Sequence, residues 1–188
     1  LGAGTAPSPF TGAYVMAPIA LSLAGSDIQK DYWLPKIAGG EAVIGMGLSE
    51  YVGAREDAGV TFSDGKISGR SLFVIDGKDA DAFILANSSG QLFLVDAKSA
   101  GIEVVDLITV DKTRDSIEII FNNVDAETLP GSEKDTSVVN KVIDTGRLML
   151  SADTVGASQV MLDKAVAYSL ERKQFGRAIG SFQAVKHM

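Results

Sequence analysis

Three cations fall within six residues of an otherwise acidic chain, at Arg172-Lys173-Gln174-Phe175-Gly176-Arg177. Local chemistry leaves two readings open. The run is either the last turn of a helix, its cations complementing the helix dipole before Gly176 ends it, or an anion site. Phe175 among the charges, with Phe182-Gln183 shortly after, is left unexplained by the first reading. A guanidinium fork beside an aromatic ring and an amide suits a ligand carrying both phosphate and an aromatic group. Gly47-Leu48-Ser49-Glu50 is the second candidate, closing an apolar run ahead of Gly53-Ala54-Arg55-Glu56-Asp57. Loops at strand ends present N–H and hydroxyl groups to ligands, and an ordinary polar loop has the same composition.

Other chemistries are excluded by residue count. With no cysteine there is no disulfide framework, thiolate zinc site, cysteine nucleophile or CxxC motif. The single histidine, His187, lies next to the last residue, so no Ser-His-Asp triad or histidine-rich metal site sits in the body of the chain. Gly2-Ala3-Gly4 and Gly45-Met46-Gly47 each begin a GxGxxG string, but Pro7 and Glu50 stand where its last glycine belongs. No phosphate-binding GxxxxGK[ST] occurs, and Asn87-Ser88-Ser89 is a sequon of the kind that arises by chance.

The elements that must position these residues follow from periodicity. The length of 188 residues allows one to two domains, and 46% hydrophobic residues suffice for a core. A net charge of −7 argues against a nucleic-acid partner. No apolar run is long enough for a membrane span. Apolar Ala13–Leu23 and the segment opening at Ser26 predict two helices. Short Val/Ile/Leu/Phe runs over 42–48, 66–75, 81–86, 91–95, 101–106 and 116–121, separated by turn signals such as Asp76-Gly77, predict strands without intervening helices. That pattern indicates an antiparallel β-barrel or sandwich. From Ser132 to Gln174 apolar residues recur at helical spacing, Ser132 with Asp135 forms a capping-box-like start, and the stretch predicts one long helix, straight or kinked. The expected fold class is therefore α+β, with helical residues 1–40, a β-domain over 41–130 and a helical domain beginning at 131. The long helix is expected to pack on helices beyond the chain or in another subunit. Leu1 and Met188 are expected to be cut ends, since no leader-like start is present and a fresh apolar segment is under way at the finish.

Together these segments resemble the acyl-CoA dehydrogenase family. Residues 25–41, GSDIQKDYWLPKIAGGE, are similar to its G-x-x-x-Q-K-x-x-x-L-P-x-x-x-x-G-E. Arg172-Lys-Gln-Phe-Gly176 with Phe182-Gln183 resembles its R-x-Q-F-G…F-Q signature, Gly47-Leu-Ser-Glu50 stands where its T-E-P-G-A-G-S-D loop begins, and 66–81 resembles its I-T-N-G hairpin. The resemblance implies an FAD enzyme that removes the α-proton of an acyl-CoA through a Glu and passes the β-hydride to the flavin, giving the trans-2-enoyl-CoA. It implies cofactor contacts by Leu48, Ser49, Phe73, Ile75, Arg172, Gln174, Phe175, Phe182 and Gln183, the last five toward FAD of a neighbouring subunit. Asp144 and Arg147 would lie beside the CoA. It further implies an electron-transfer flavoprotein or similar acceptor, a homo- or heterotetramer, and a bacterial cytoplasmic location ahead of the mitochondrial matrix.

Three departures matter. Tyr51-Val52-Gly53-Ala54-Arg55-Glu56 replaces the small residues of the loop, so Arg55 stands for its serine contact. Ile75 replaces a hydroxyl, which removes a flavin hydrogen bond of about 1 kcal/mol. Gly146 stands where some members carry their catalytic Glu, and the more usual catalytic Glu is expected beyond Met188, so no catalytic residue is assigned. These departures also fit a non-catalytic partner subunit of a heteromeric dehydrogenase, or a flavin-free structural or CoA-binding relative.

Overall fold

A computed structural model describes residues 1–53 and 58–187. Pro7–Met149 forms one compact unit, and Leu1–Ala6 with Leu150–Met188 a second.

The larger unit opens with a π-helical turn, Gly12–Met16, that runs into helix α1 (Ala17–Ala24). Pro18 has no N–H and its ring crowds the preceding turn, a conflict that the wider π geometry relieves. Helix α2 (Asp27–Ala38) starts with a full capping box. Ser26 Oγ accepts from the Gln29 N–H at 3.2 Å, and Gln29 Oε1 accepts from the Ser26 N–H at 2.9 Å.

Strands β1 (Ile44–Gly47), β2 (Gly59–Ser63), β3 (Lys66–Ile75), β4 (Ala82–Ala86), β5 (Leu92–Asp96), β6 (Ile102–Asp106), β7 (Ser116–Asp125) and β8 (Glu127–Thr128) follow. They make one sheet in the order β6-β7-β3-β1-β4-β5-β8, with β2 also paired to β3. Every pairing is antiparallel except that of β1 with β4, which is parallel. The α+β expectation holds. The barrel alternative does not: the sheet is open among the described residues, ending at β6 and the two-residue β8, and is sandwich-like.

Alternation along β4 and β5 explains the sandwich. Ala82, Ile84, Leu92 and Leu94 face a core shared with Ala17, Leu21, Val139 and Val142. Their neighbours Phe83, Leu85, Phe93 and Val95 face a second core with Val74, Ile117 and Ile119. Strands buried on both faces read as continuous apolar runs rather than alternating ones. The β4–β5 turn is held by Asn87, whose Oδ1 accepts from the N–H groups of Ser89 at 3.1 Å and Gln91 at 3.0 Å. That gives the sequon asparagine an ordinary turn-forming role.

The single helix expected from Ser132 is divided. A short helix α3 (Pro130–Lys134) precedes α4 (Val138–Glu171), and Asp135 lies between them. Ser132 is fully buried. Its hydroxyl donates to the Leu129 carbonyl at 2.7 Å and accepts from the Leu92 N–H at 2.9 Å, so it ties the sheet edge rather than capping the long helix. The start of α4 is instead organised by Asp135, whose Oδ1 accepts from the Ser137 N–H at 3.0 Å. Hydrogen bonds from the Ser137 hydroxyl and N–H hold its carboxyl below the usual range.

In the second unit, the 3₁₀ turn Gly2–Gly4 packs on α4 so closely that a Cβ on Gly2 would collide with the Asp153 backbone. The helix ends at Glu171, and strands β9 (Lys173–Gln174) and β10 (Arg177–Ala178) pair antiparallel. The turn residues Phe175 and Gly176 have φ of 52° and 78°. Two consecutive positive φ values are the mark of a type I′ hairpin. Gly176 therefore turns a hairpin and does not end the helix, which corrects the helix-end reading of this run.

Candidate functional site

Strand β1 is followed by Leu48 and Ser49, both buried. Opposite them β3 is irregular. Ser71 pairs with Ile119 and Val74 with Ile117, so β3 carries one residue more than β7 over this stretch. Such a bulge takes an N–H out of the ladder, and the Leu72 N–H donates to Ser49 Oγ at 3.1 Å. The next residue, Phe73, has φ of 51° and is 55% exposed, while Leu72 is 1% exposed. An aromatic residue in left-handed backbone is uncommon and strained by about 1–3 kcal/mol. Ile75 pairs with Met46 of β1 and packs against the helix-facing core. Leu48, Ser49, Phe73 and Ile75 are thus gathered at the β1–β3 junction.

Two carboxylates that the sequence reading left unassigned frame this junction. Glu50 Oε2 accepts from the Val60 N–H at 2.6 Å, joining the end of the β1 loop to β2. Asp76 Oδ2 accepts from the Gly12 N–H at 2.6 Å and the Ala13 N–H at 3.2 Å, where the π turn begins. Burial pushes the Asp76 carboxyl above its usual 3.8, against the opposing pull of those two N–H groups. The signal that could have found Asp76 was its place in the hairpin motif, where the family pattern has Asn. Arg55, with residues 54, 56 and 57, lies outside the described residues.

On the part of α4 in the same unit, Arg147 Nη1 lies 2.9 Å from Asp144 Oδ1, and both side chains are largely exposed. Gly146 between them is buried.

The second unit gathers the remaining candidates on the hairpin and the segment after it. Arg172 N–H donates to the Tyr168 carbonyl, and the Arg172 carbonyl accepts from Ile179 N–H, each at 2.8 Å. Gln174 Nε2 donates to the Lys173 carbonyl at 2.7 Å. Phe175 and Phe182 meet edge to face with centroids 6.3 Å apart. Gln183 opens the short helix α5 (Gln183–Lys186). Arg177, the third cation of the run though not among the expected cofactor contacts, has its guanidinium 4.0 Å from the centroid of the Phe182 ring. Exposed cations, two rings and an amide therefore lie on one short stretch, a donor set suited to phosphate with an aromatic group. Among the described residues no group of three or more His, Cys, Asp or Glu could hold a metal ion. Among the described residues no helix is long and apolar enough to cross a membrane.

A sandwich-like sheet flanked by helices is the architecture this chain shares with solved acyl-CoA dehydrogenases. The glutaryl-CoA dehydrogenase of Mycobacterium smegmatis, solved in complex with FADH2, superposes with a TM-score of 0.79 over 91% of this chain and 48% of that one, at 21% identity. Residues 136–188 match the family model for the acyl-CoA dehydrogenase C-terminal domain. The chain is 30% identical over 181 residues to the mitochondrial isovaleryl-CoA dehydrogenase of Oryza sativa subsp. japonica, covering 86% of this chain and 44% of that protein. It is 28% identical over 211 residues to the caffeyl-CoA reductase-Etf complex subunit CarC of Acetobacterium woodii, covering 96% and 54%. The acyl-CoA dehydrogenase resemblance is thereby shown along most of the chain. The chain spans about half the length of the curated relatives it matches.

Proposed function

We propose that the whole protein carries out FAD-dependent α,β-dehydrogenation of an acyl-CoA thioester to the trans-2-enoyl-CoA, with residues 41–130 as its middle β-domain. The observation that carries this reading is the exposed, left-handed Phe73 held beside the buried Ser49 hydroxyl at the β1–β3 junction. When bound, FAD supplies the acceptor for the β-hydride. An exposed ring and a hydroxyl with an O–H still to donate fit an isoalloxazine edge, and Leu48 and Ile75 supply apolar contact. Arg172, Gln174, Phe175, Phe182 and Gln183 fit the pyrophosphate and adenine of an FAD in a neighbouring subunit. The Asp144–Arg147 pair would orient the CoA thioester. None of these residues takes the α-proton.

A tetramer and an electron-transfer flavoprotein or similar acceptor complete the proposal, as does a bacterial cytoplasmic setting. Exposed Leu150, Met161, Leu162, Val166 and Leu170 along α4 support burial against further helices or subunits. The similarity to an Etf-complex subunit supports the acceptor. A second reading, a non-catalytic partner subunit, is favoured by Ile75, whose side chain offers the flavin no hydrogen bond.

The test is an anaerobic visible spectrum of the complete protein before and after a panel of acyl-CoAs. A flavin band that bleaches supports the dehydrogenase. A colourless protein that gains flavin only with a second subunit supports the partner reading.

A further inference from the structure

Leu72 and Phe73 lie where β3 carries its extra residue, so neither keeps regular ladder pairing with β7. Leu72 is buried, and a buried N–H without an acceptor is strongly disfavoured. Its acceptor is Ser49 Oγ, itself buried on the loop that leaves β1. This bond links two segments that are 23 positions apart in the chain. It also stands one residue from the left-handed Phe73. Without it, the bulge is free to migrate by one residue along β3. Because side chains alternate with a period of two, that slip would turn Phe73 to the other face.

We infer that Ser49 is a positioning residue whose hydroxyl, by holding the Leu72 N–H, fixes the bulge that presents the Phe73 ring to the flavin. The inference rests on the FAD reading only in its final clause. The hydroxyl is engaged at the bulge through a lone pair, which leaves its O–H free to donate elsewhere. Threonine can make the same bond and alanine cannot.

The experiment uses the complete protein, wild type and with Ser49→Ala, Ser49→Thr and Phe73→Ala. Hydrogen exchange of the flavin-free protein is read over the peptide spanning Leu72, and FAD affinity is read by titration. Ser49→Ala is expected to speed exchange at Leu72 about tenfold and to weaken FAD about tenfold, with Ser49→Thr restoring both. Phe73→Ala is expected to weaken FAD comparably while leaving exchange at Leu72 slow. Unchanged exchange in Ser49→Ala overturns the hold on the bulge. Faster exchange with undiminished FAD affinity overturns the positioning role. A wild type that takes up no FAD, with exchange responding as expected, overturns the FAD reading and upholds the hold on the bulge. If Ser49→Ala does not fold, full FAD affinity in Phe73→Ala overturns the inference.

Discussion

A Cβ placed on Gly146 would sit 2.6 Å from Met16 Sδ and 3.1 Å from its Cε, so the methionine thioether already fills the space above this turn of α4. Met16 belongs to the π turn and is 6% exposed. A side chain at 146 therefore requires Met16 to move from its buried place.

Replacing Gly146 with Glu should lower unfolding stability by about 2–4 kcal/mol, through overpacking and burial of a carboxyl beside a thioether. Met16→Ala in the same chain should recover part of that loss by opening the space. Chemical denaturation of the wild type and the two variants measures it. Equal stability of wild type and Gly146→Glu would show that Met16 moves aside freely.

Asp76 sets a pH dependence. Its carboxyl is pushed above 3.8, mainly by burial, so the folded state holds the proton more tightly than the unfolded state. Its contribution to stability is then greatest at low pH, falls as pH rises from the ordinary aspartate value through the raised one, and is level above it. Asp76→Asn keeps an oxygen for the Gly12 and Ala13 N–H groups and suits the positive φ of 54° at this position. The stability difference should shift in favour of the Asn variant as pH rises through that window. A constant difference between pH ~4 and ~7 would refute the assignment.

Ile75→Thr supplies the hydroxyl that the family pattern has at this place. Under the proposed function it should tighten FAD by roughly five- to tenfold, the worth of one hydrogen bond of about 1 kcal/mol. Titration of the flavin-free protein reads it directly. No change would remove Ile75 from the cofactor contacts.

Arg172→Ala in the complete protein should weaken FAD retention by about tenfold or more, since a charge-assisted contact to phosphate is lost. Arg177→Ala tests whether the cation stacked on Phe182 shares the task. Flavin occupancy after gel filtration is the measurement, and unchanged occupancy in the Arg172 variant counts against its role.

Much of this architecture was legible in local sequence. The capping residues Ser26 and Gln29, the apolar runs that became β1, β3, β4, β5, β6 and β7, and the helical spacing of Val139, Val142 and Met149 each express a preference decided within a few residues. The candidate residues Ser49, Phe73, Arg172 and Phe182 were likewise visible as motifs. Strand β2 and the two-residue β8 were not, because their short sequences carry little period of their own and they exist by pairing with β3 and β5.

What tertiary structure alone decided is which distant groups meet. The parallel pairing of β1 with β4 inserts β1 between β3 and β4, and no local signal specifies it. Asp76 reaches the Gly12 N–H across 64 positions, Ser132 serves the sheet rather than a helix cap, and Ser49 meets the Leu72 N–H at a bulge. The physical reason is common to all three. A backbone N–H left without a regular partner must find an acceptor once it is buried, and only the folded chain determines which side chain stands within reach.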